Sequence, residues 1–289
     1  MELLIAMKLL NGLTTGALYA LTAFGLTFIL GMLNIPNFAH GALFALGGYI
    51  SFTLAQATGS YWAALLIAPL MMALLGVAVE RGLLRPLYGS TAEDENFMLL
   101  ALFALAIIIP ELIIMTWGAA GQNLMPPPAL AGATTLLGFP YPAFRLFILA
   151  ATSLTILVSW LLIEKTRAGA LIRAAIENRE AVMMLGVDVR ILFAGSFAFG
   201  AALTALAGAL SLPLRGIHPF IGSEILVMSF VIVVIGGLGN LYGAIFAGLL
   251  VGVLQEMSTF ISPLAPWPIV YVAMIAVLLF RPTGLFGRR

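Results

Sequence analysis

From Leu9 to Gly31 the sequence carries no charged side chain, and at ~1.5 Å per residue a helix of that length crosses a hydrocarbon core of ~30 Å. Inside lipid every backbone N–H and C=O must find its partner within the segment, so such a run folds as a helix. An obstacle follows at once. Leu33-Asn34-Ile35-Pro36-Asn37-Phe38-Ala39-His40-Gly41 sets two amides, an imidazole and a proline ahead of a second apolar run, Ala42 to Ala57. Pro36 lacks an N–H and disfavours helical geometry at Ile35, which predicts a break there. Asn37 is suited to cap a new helix, with His40 and Gly41 in its first turn. Two readings fit this pattern. One is an interfacial loop between spans. The other is a discontinuous helix lining a solute pathway, its free N–H groups facing an anionic group.

Composition settles the class. Hydrophobic residues make up 62% of the 289 positions and charged residues 9%, with a mean hydropathy of +1.13, whereas about a quarter of a soluble protein is charged. The expected fold is all-α, a polytopic transmembrane helical bundle whose surroundings are the lipid bilayer. The balance of 13 basic against 12 acidic residues leaves a net charge of +1, so no nucleic-acid footprint exists. The absence of cysteine excludes disulfides, thiolate metal sites and cysteine nucleophiles. His40 and His218 alone make no metal cluster, and no cofactor is expected. The opening M-E-L-L-I-A-M-K-L-L has neither a basic n-region nor a small-residue cleavage site, so the first span is expected to act as its own insertion signal.

Further apolar segments run about Tyr61 to Val79, Phe97 to Trp117, Arg145 to Ile163, Ile191 to Leu212, Glu224 to Ile235, Leu241 to Phe260 and Trp267 to Phe280. Roughly eight or nine membrane segments, some partial, are expected in a single domain spanning 1–289. Arg81 and Arg85, then Lys165, Arg167, Arg173, Arg179 and Arg190, then Arg281, Arg288 and Arg289 form three basic clusters. The positive-inside rule assigns all three, the C-terminus included, to the cytoplasm. Gly118 to Phe144 has no Lys or Arg and is expected outside. If both first segments cross fully, the N-terminus also lies outside, and Lys8 argues weakly against that.

Candidate pathway residues are Asn34, Asn37, His40 and Gly41, together with Gly236, Gly237, Gly239 and Asn240. An internal echo links the two groups: Asn37 to Ala45 lines up with Asn240 to Ala247 after a one-residue gap, each opening a G-A-[LI]-F-A run. Paired interruptions in the two halves of a transporter point to its translocation site. The competing readings are a neutral, bonded His40, asparagines that stitch the break, and glycines that permit close helix packing. Glu111, Glu224 and Glu256 fall near the outer ends of apolar segments, and Trp62, Trp117, Trp160 and Trp267 fit an interfacial belt. Between Glu164 and Arg190, apolar positions at helical spacing alternate with polar ones and end at Gly186, which reads as a short amphipathic helix.

G-L-T-T-G-A-L-Y-A-L-T-A-F-G-L-T-F-I-L-G from Gly12, N-x-x-N-F-A-H-G from Asn34, T-R-A-G-A-L-I-R-A-A-I-E-N-R-E-A-V-M-M-L-G-V-D from Thr166 and G-G-L-G-N-L-Y-G-A-I-F-A-G from Gly236 occur in that order, before the ending L-F-R-P-T-G-L-F-G-R. Across most of its length the chain resembles the permease subunits of branched-chain amino acid ABC importers, the shorter of the two homologous permeases in particular. The resemblance implies a bacterial inner-membrane assembly of two homologous permeases, two cytoplasmic ATP-binding subunits and a periplasmic substrate-binding protein. It also implies an ATPase-coupling role for 164–190, carried here by Ala175, Ile176, Glu177, Glu180, Ala181, Leu185 and Gly186. Members that import urea, short amides or aromatic acids share these motifs. The sequence has no G-x-x-x-x-G-K-[ST] loop and its lysines are Lys8 and Lys165, so any ATP-driven function needs a partner and the chain itself is not expected to be an enzyme. A stand-alone channel or ion-coupled carrier is the alternative, weakened by the lack of a mid-span carboxylate to bind a coupling ion.

Overall fold

The structure, a computed structural model, describes residues 2–88, 92–136 and 138–287. Its helices are α1 (Glu2–Leu33), α2 (His40–Thr58), α3 (Tyr61–Val79), α4 (Ala92–Trp117), α5 (Ala143–Lys165), α6 (Arg167–Glu177), α7 (Arg179–Met184), α8 (Val189–Arg215), α9 (Ile221–Gly236), α10 (Leu241–Ser258) and α11 (Pro266–Phe280). A hairpin of β1 (Ala133–Leu136) and β2 (Phe139–Pro142) precedes α5. Among the described residues, six helical stretches are long and apolar enough to cross a membrane, and α9 and α11 are shorter apolar helices. With α2, 19 residues long, these make up the expected all-α bundle.

Three contacts identify one face of the bundle. The Arg179 guanidinium donates to the Met32 carbonyl at the end of α1 (3.0 Å), and that of Arg85, just beyond α3, donates to the Arg190 carbonyl at the start of α8 (3.4 Å). The segment after α11 lies against the end of α9, where Leu285 N–H donates to the Ile235 carbonyl (2.8 Å). The basic clusters at 81–85, 165–190 and Arg281 therefore share one face, as charge patterning predicts; Arg288 and Arg289 lie outside the described residues. On the opposite face Lys8 pairs with Glu256 (3.6 Å) and donates to Thr259 (2.8 Å). The start of α1 is thus on the side away from the basic clusters, against the weak indication from Lys8.

Small residues set the helix spacing. In α1, a Cβ on Gly16 would stand 2.9 Å from the Gly248 carbonyl oxygen of α10, and one on Gly12 would stand 2.8 Å from Val253 Cα. On α3, a Cβ on Gly76 would stand 2.9 Å from Ala198 Cα of α8. Where α1 crosses α8, one on Gly200 would stand 3.2 Å from the Gly25 carbonyl oxygen. Between helices in lipid, such close backbone approach gains dispersion that large side chains would prevent. Around this centre α3, α4, α5 and α11 expose Leu, Ile, Phe and Met, such as Leu74, Phe103, Leu154 and Leu279.

The arrangement is an inverted repeat. Helix α1 ends at the basic face and α8 begins there; α1 packs on α10, whereas α8 packs on α3. After each long helix the chain turns back into the bundle and opens a second helix, α2 after 34–39 and α9 after 216–220. The equivalent of α2 is therefore α9. The echo between Asn37 and Asn240 joins helices that are not structural counterparts, because recurring Gly, Ala and Phe imitate homology in a chain this rich in them.

Candidate functional site

His40 opens α2 deep inside the bundle. Its Nε2 lies 2.9 Å from the Thr22 carbonyl oxygen and 2.9 Å from Thr204 Oγ1. A carbonyl only accepts, so Nε2 carries the proton. Thr22 stands roughly 16 Å from the C-terminal end of α1 at the helical rise, so the chain between Leu33 and His40 re-enters the bundle before α2 begins. Asn34 makes the turn with a positive φ of 57° at an exposed position, a conformation asparagine tolerates better than most residues. Asn37 is fully buried, and its Oδ1 accepts from Ala39 N–H (3.1 Å) in a local turn. The expected cap is thereby corrected: Ala39 holds the N-cap position without a side-chain bond, because Asn37 lies too far upstream to reach the first free N–H groups of α2.

Gly41 meets Gly222 at the centre. Each is the second residue of its helix. A Cβ on Gly222 would stand 2.6 Å from the Gly41 carbonyl oxygen, and a Cβ on Gly41 would overlap the Gly222 carbonyl. The first turns of α2 and α9 thus touch backbone to backbone, bringing two positive helix ends together. Phe38 packs on Phe230 of α9 (5.6 Å between ring centroids), and Ser229 donates to Thr22 Oγ1 (3.3 Å). Gln122 and Ile217 exchange backbone hydrogen bonds of 2.8 Å, strapping the second re-entrant segment to the loop before the hairpin.

Sequence reasoning missed Thr22, Thr204 and Gly222. A signal for the last was present: Ile35-Pro36-Asn37-Phe38 before Gly41 resembles Ile217-His218-Pro219-Phe220 before Gly222.

The other candidate pathway residues occupy the basic face, apart from the His40–Gly41 centre. Gly236 ends α9 against the backbone of Gly243, and Gly237 has a φ of 105°. Asn240 caps α10, its Oδ1 accepting from Gly243 N–H (3.0 Å) and its Nδ2 donating to the Phe286 carbonyl (2.7 Å). Phe286 N–H returns a bond to the Gly236 carbonyl (3.1 Å). Here the glycines admit the C-terminal segment at close range, and Gly239, with a φ of 76°, serves the turn itself.

The 164–190 connection is two helices rather than the single one its periodicity suggests. Asn178 is extended (φ −151°, ψ 100°) and caps α7 through Ala181 N–H (3.0 Å). The side-chain bond that favours asparagine at a cap competes with continuing the first helix. Gly186 ends α7 at a φ of 80°. Ala175 and Val182 are buried; Ile176, Glu177, Glu180, Ala181 and Leu185 are exposed, with Met184 and Leu185 more than 80% so. Arg179 ties this elbow to α1 through Met32 and lies 4.9 Å over the Phe193 ring of α8.

Residues 8–280 match the family described as the permease component of branched-chain amino acid transport systems. The chain belongs to this family. It is 30% identical to the high-affinity branched-chain amino acid transport system permease protein BraD of Pseudomonas aeruginosa, over 97% of this chain and 95% of BraD. It is 29% identical to LivH of Escherichia coli K12 over the same shares of the two chains. Its identity to LivM of that organism is 24%, over 94% of this chain and 68% of LivM. Among solved structures, a chain of PsaBC from Streptococcus pneumoniae in complex with Fab matches in fold alone, with a TM-score of 0.50 and 10% identity over 93% of this chain and 89% of that one. Membership makes this multi-pass membrane protein a transport subunit and not an enzyme.

Proposed function

We propose that this chain is a translocation subunit of an ATP-driven importer of branched-chain or other hydrophobic amino acids in the bacterial inner membrane. It pairs with a second homologous permease, two cytoplasmic ATP-binding subunits and a periplasmic binding protein, and its basic face is cytoplasmic. Family membership over residues 8–280 supports the class of solute.

One observation carries the mechanism. The exposed apolar tip Met183-Met184-Leu185 sits on an elbow that Arg179 fastens to the end of α1, next to the Asn34 turn. A nucleotide-binding partner seated on this tip pulls on α1 and α8 together. Those helices carry Thr22 and Thr204, the partners of His40, so motion at the elbow reaches the paired first turns of α2 and α9. Asn37, His40 and Gly41 are buried inside the bundle and support the pathway by holding the paired first turns of α2 and α9, while Gly236, Gly237, Gly239 and Asn240 support the cytoplasmic exit.

The test is uptake of labelled leucine, phenylalanine and urea by proteoliposomes holding the complete importer, with ATP hydrolysis measured in parallel. Leucine uptake dependent on ATP and on binding protein is expected, with urea excluded. Uptake without ATP favours the stand-alone carrier, and urea uptake overturns the solute assignment.

A further inference from the structure

The face opposite the basic clusters carries three cationic side chains of Lys or Arg among the described residues: Lys8, Arg145 and Arg215. Lys8 has Glu256. Arg145 and Arg215, among the described residues, have no carboxylate within ion-pair distance. Arg145 begins α5 and donates to the neutral Asn11 Oδ1 (2.6 Å), an oxygen that Tyr141 also occupies (3.0 Å). Arg215 ends α8, its guanidinium beside the Tyr19 hydroxyl.

The two arginines line one cavity of about 160 Å³ together with Thr15, Leu18, Tyr19 and Leu214. Like charges converging on one hollow raise its potential for an anion, and arginine presents forked donors that match a carboxylate. Leu18 and Leu214 add apolar wall for an attached side chain. Glu224 at the start of α9, half-exposed and 3.7 Å from His218, is a charged neighbour of the Tyr19 phenol, with Gln255 as another polar one. Two cations in the hollow and one anion in the neighbourhood of the same phenol match a zwitterion. An acidic loop of a docking protein would need only the cations.

We propose that Arg145 and Arg215 form a carboxylate-recognition site at the outer mouth of the permease, taking the α-carboxylate of an amino-acid solute whose ammonium group faces Glu224. This rests on the reading that the solute is an amino acid. Tyr19 lies one turn from Thr22 on α1, so the site stands directly above the His40 joint.

The test uses the complete permease complex in nanodiscs, with L-leucine and L-leucinamide, which lacks the carboxylate, as probes in saturation-transfer NMR. Leucine is expected to bind about tenfold more tightly than leucinamide, the scale of a charge-assisted pair of hydrogen bonds. Arg145→Gln and Arg215→Gln each bring leucine down toward the leucinamide level and leave leucinamide itself unchanged, a pattern that general damage to the fold does not produce. Equal binding of the two probes by the native protein overturns the proposal. So does retained discrimination in both variants; if those variants also lose the binding protein in a pull-down, the arginines serve that protein's carboxylates instead. ATP-driven leucine uptake is measured on the same complex reconstituted into sealed proteoliposomes. Uptake without discrimination removes the site and leaves the transport function standing, and discrimination without uptake does the reverse.

Discussion

Gly41 and Gly222 stand backbone to backbone at the centre of the inverted repeat, with no room for a side chain on either. Gly222→Ala forces the first turns of α2 and α9 apart and is expected to cost about 1–3 kcal/mol, the usual penalty for overpacking. Gly59→Ala, in open space at a φ of 66°, carries only backbone strain and serves as the reference. Thermal unfolding of both variants in detergent checks this. A Gly222→Ala protein as stable as the native one shows that the two turns are not in contact.

His40 links three helices through Thr22 and Thr204, so its energetic effect is shared with Thr204. His40→Phe keeps the volume but removes the donor, and is expected to cost about 1–3 kcal/mol for buried groups left unpaired. Thr204→Val removes the other partner. Because both substitutions break one bond, their effects are expected to fall short of the sum in a double-mutant cycle; strict additivity rules out the joint.

In the proposed mechanism the elbow separates docking from transmission. Met184→Asp and Leu185→Asp alter exposed side chains and are expected to leave stability within about 0.5 kcal/mol, while co-purification of the ATPases falls. Arg179→Ala is expected to keep the ATPases bound but lower the uptake obtained per ATP hydrolysed, since the elbow loses its bond to Met32. Normal uptake in all three removes coupling from 164–190.

Orientation is open to a direct test because the native chain has no cysteine. Ala129→Cys is expected to react with an impermeant maleimide from outside the cell, and Asn178→Cys only after permeabilisation. Both positions are exposed and lie on opposite faces of the bundle, so the reverse pattern turns the whole molecule over.

Much of the architecture was legible in the chain. Long charge-free runs demand helices in lipid, clustered arginines mark one face, and Pro36, which lacks an N–H and disfavours helix at Ile35, signals the interruption whose turn Asn34 makes. Gly186 as a helix stop was legible for the same local reason, an empty α-carbon at a positive φ. Asn178 was missed as a break because alternation of polar and apolar residues carries across it unchanged, and only the bond of its side chain to Ala181 N–H divides the segment.

Residue chemistry alone specifies the class of protein, the gathering of the basic clusters on one face and the interruption after Leu33, since these follow from transfer to lipid and from single-residue backbone preferences. Packing in three dimensions was needed to match α2 with α9, to set Gly41 against Gly222, to hold His40 between Thr22 and Thr204, and to bring Arg145 and Arg215 to one hollow. These pairings join residues far apart in a chain crowded with glycine, alanine and leucine, whose local patterns are too alike to select a partner. Selection comes from which backbones can approach closely enough to pack.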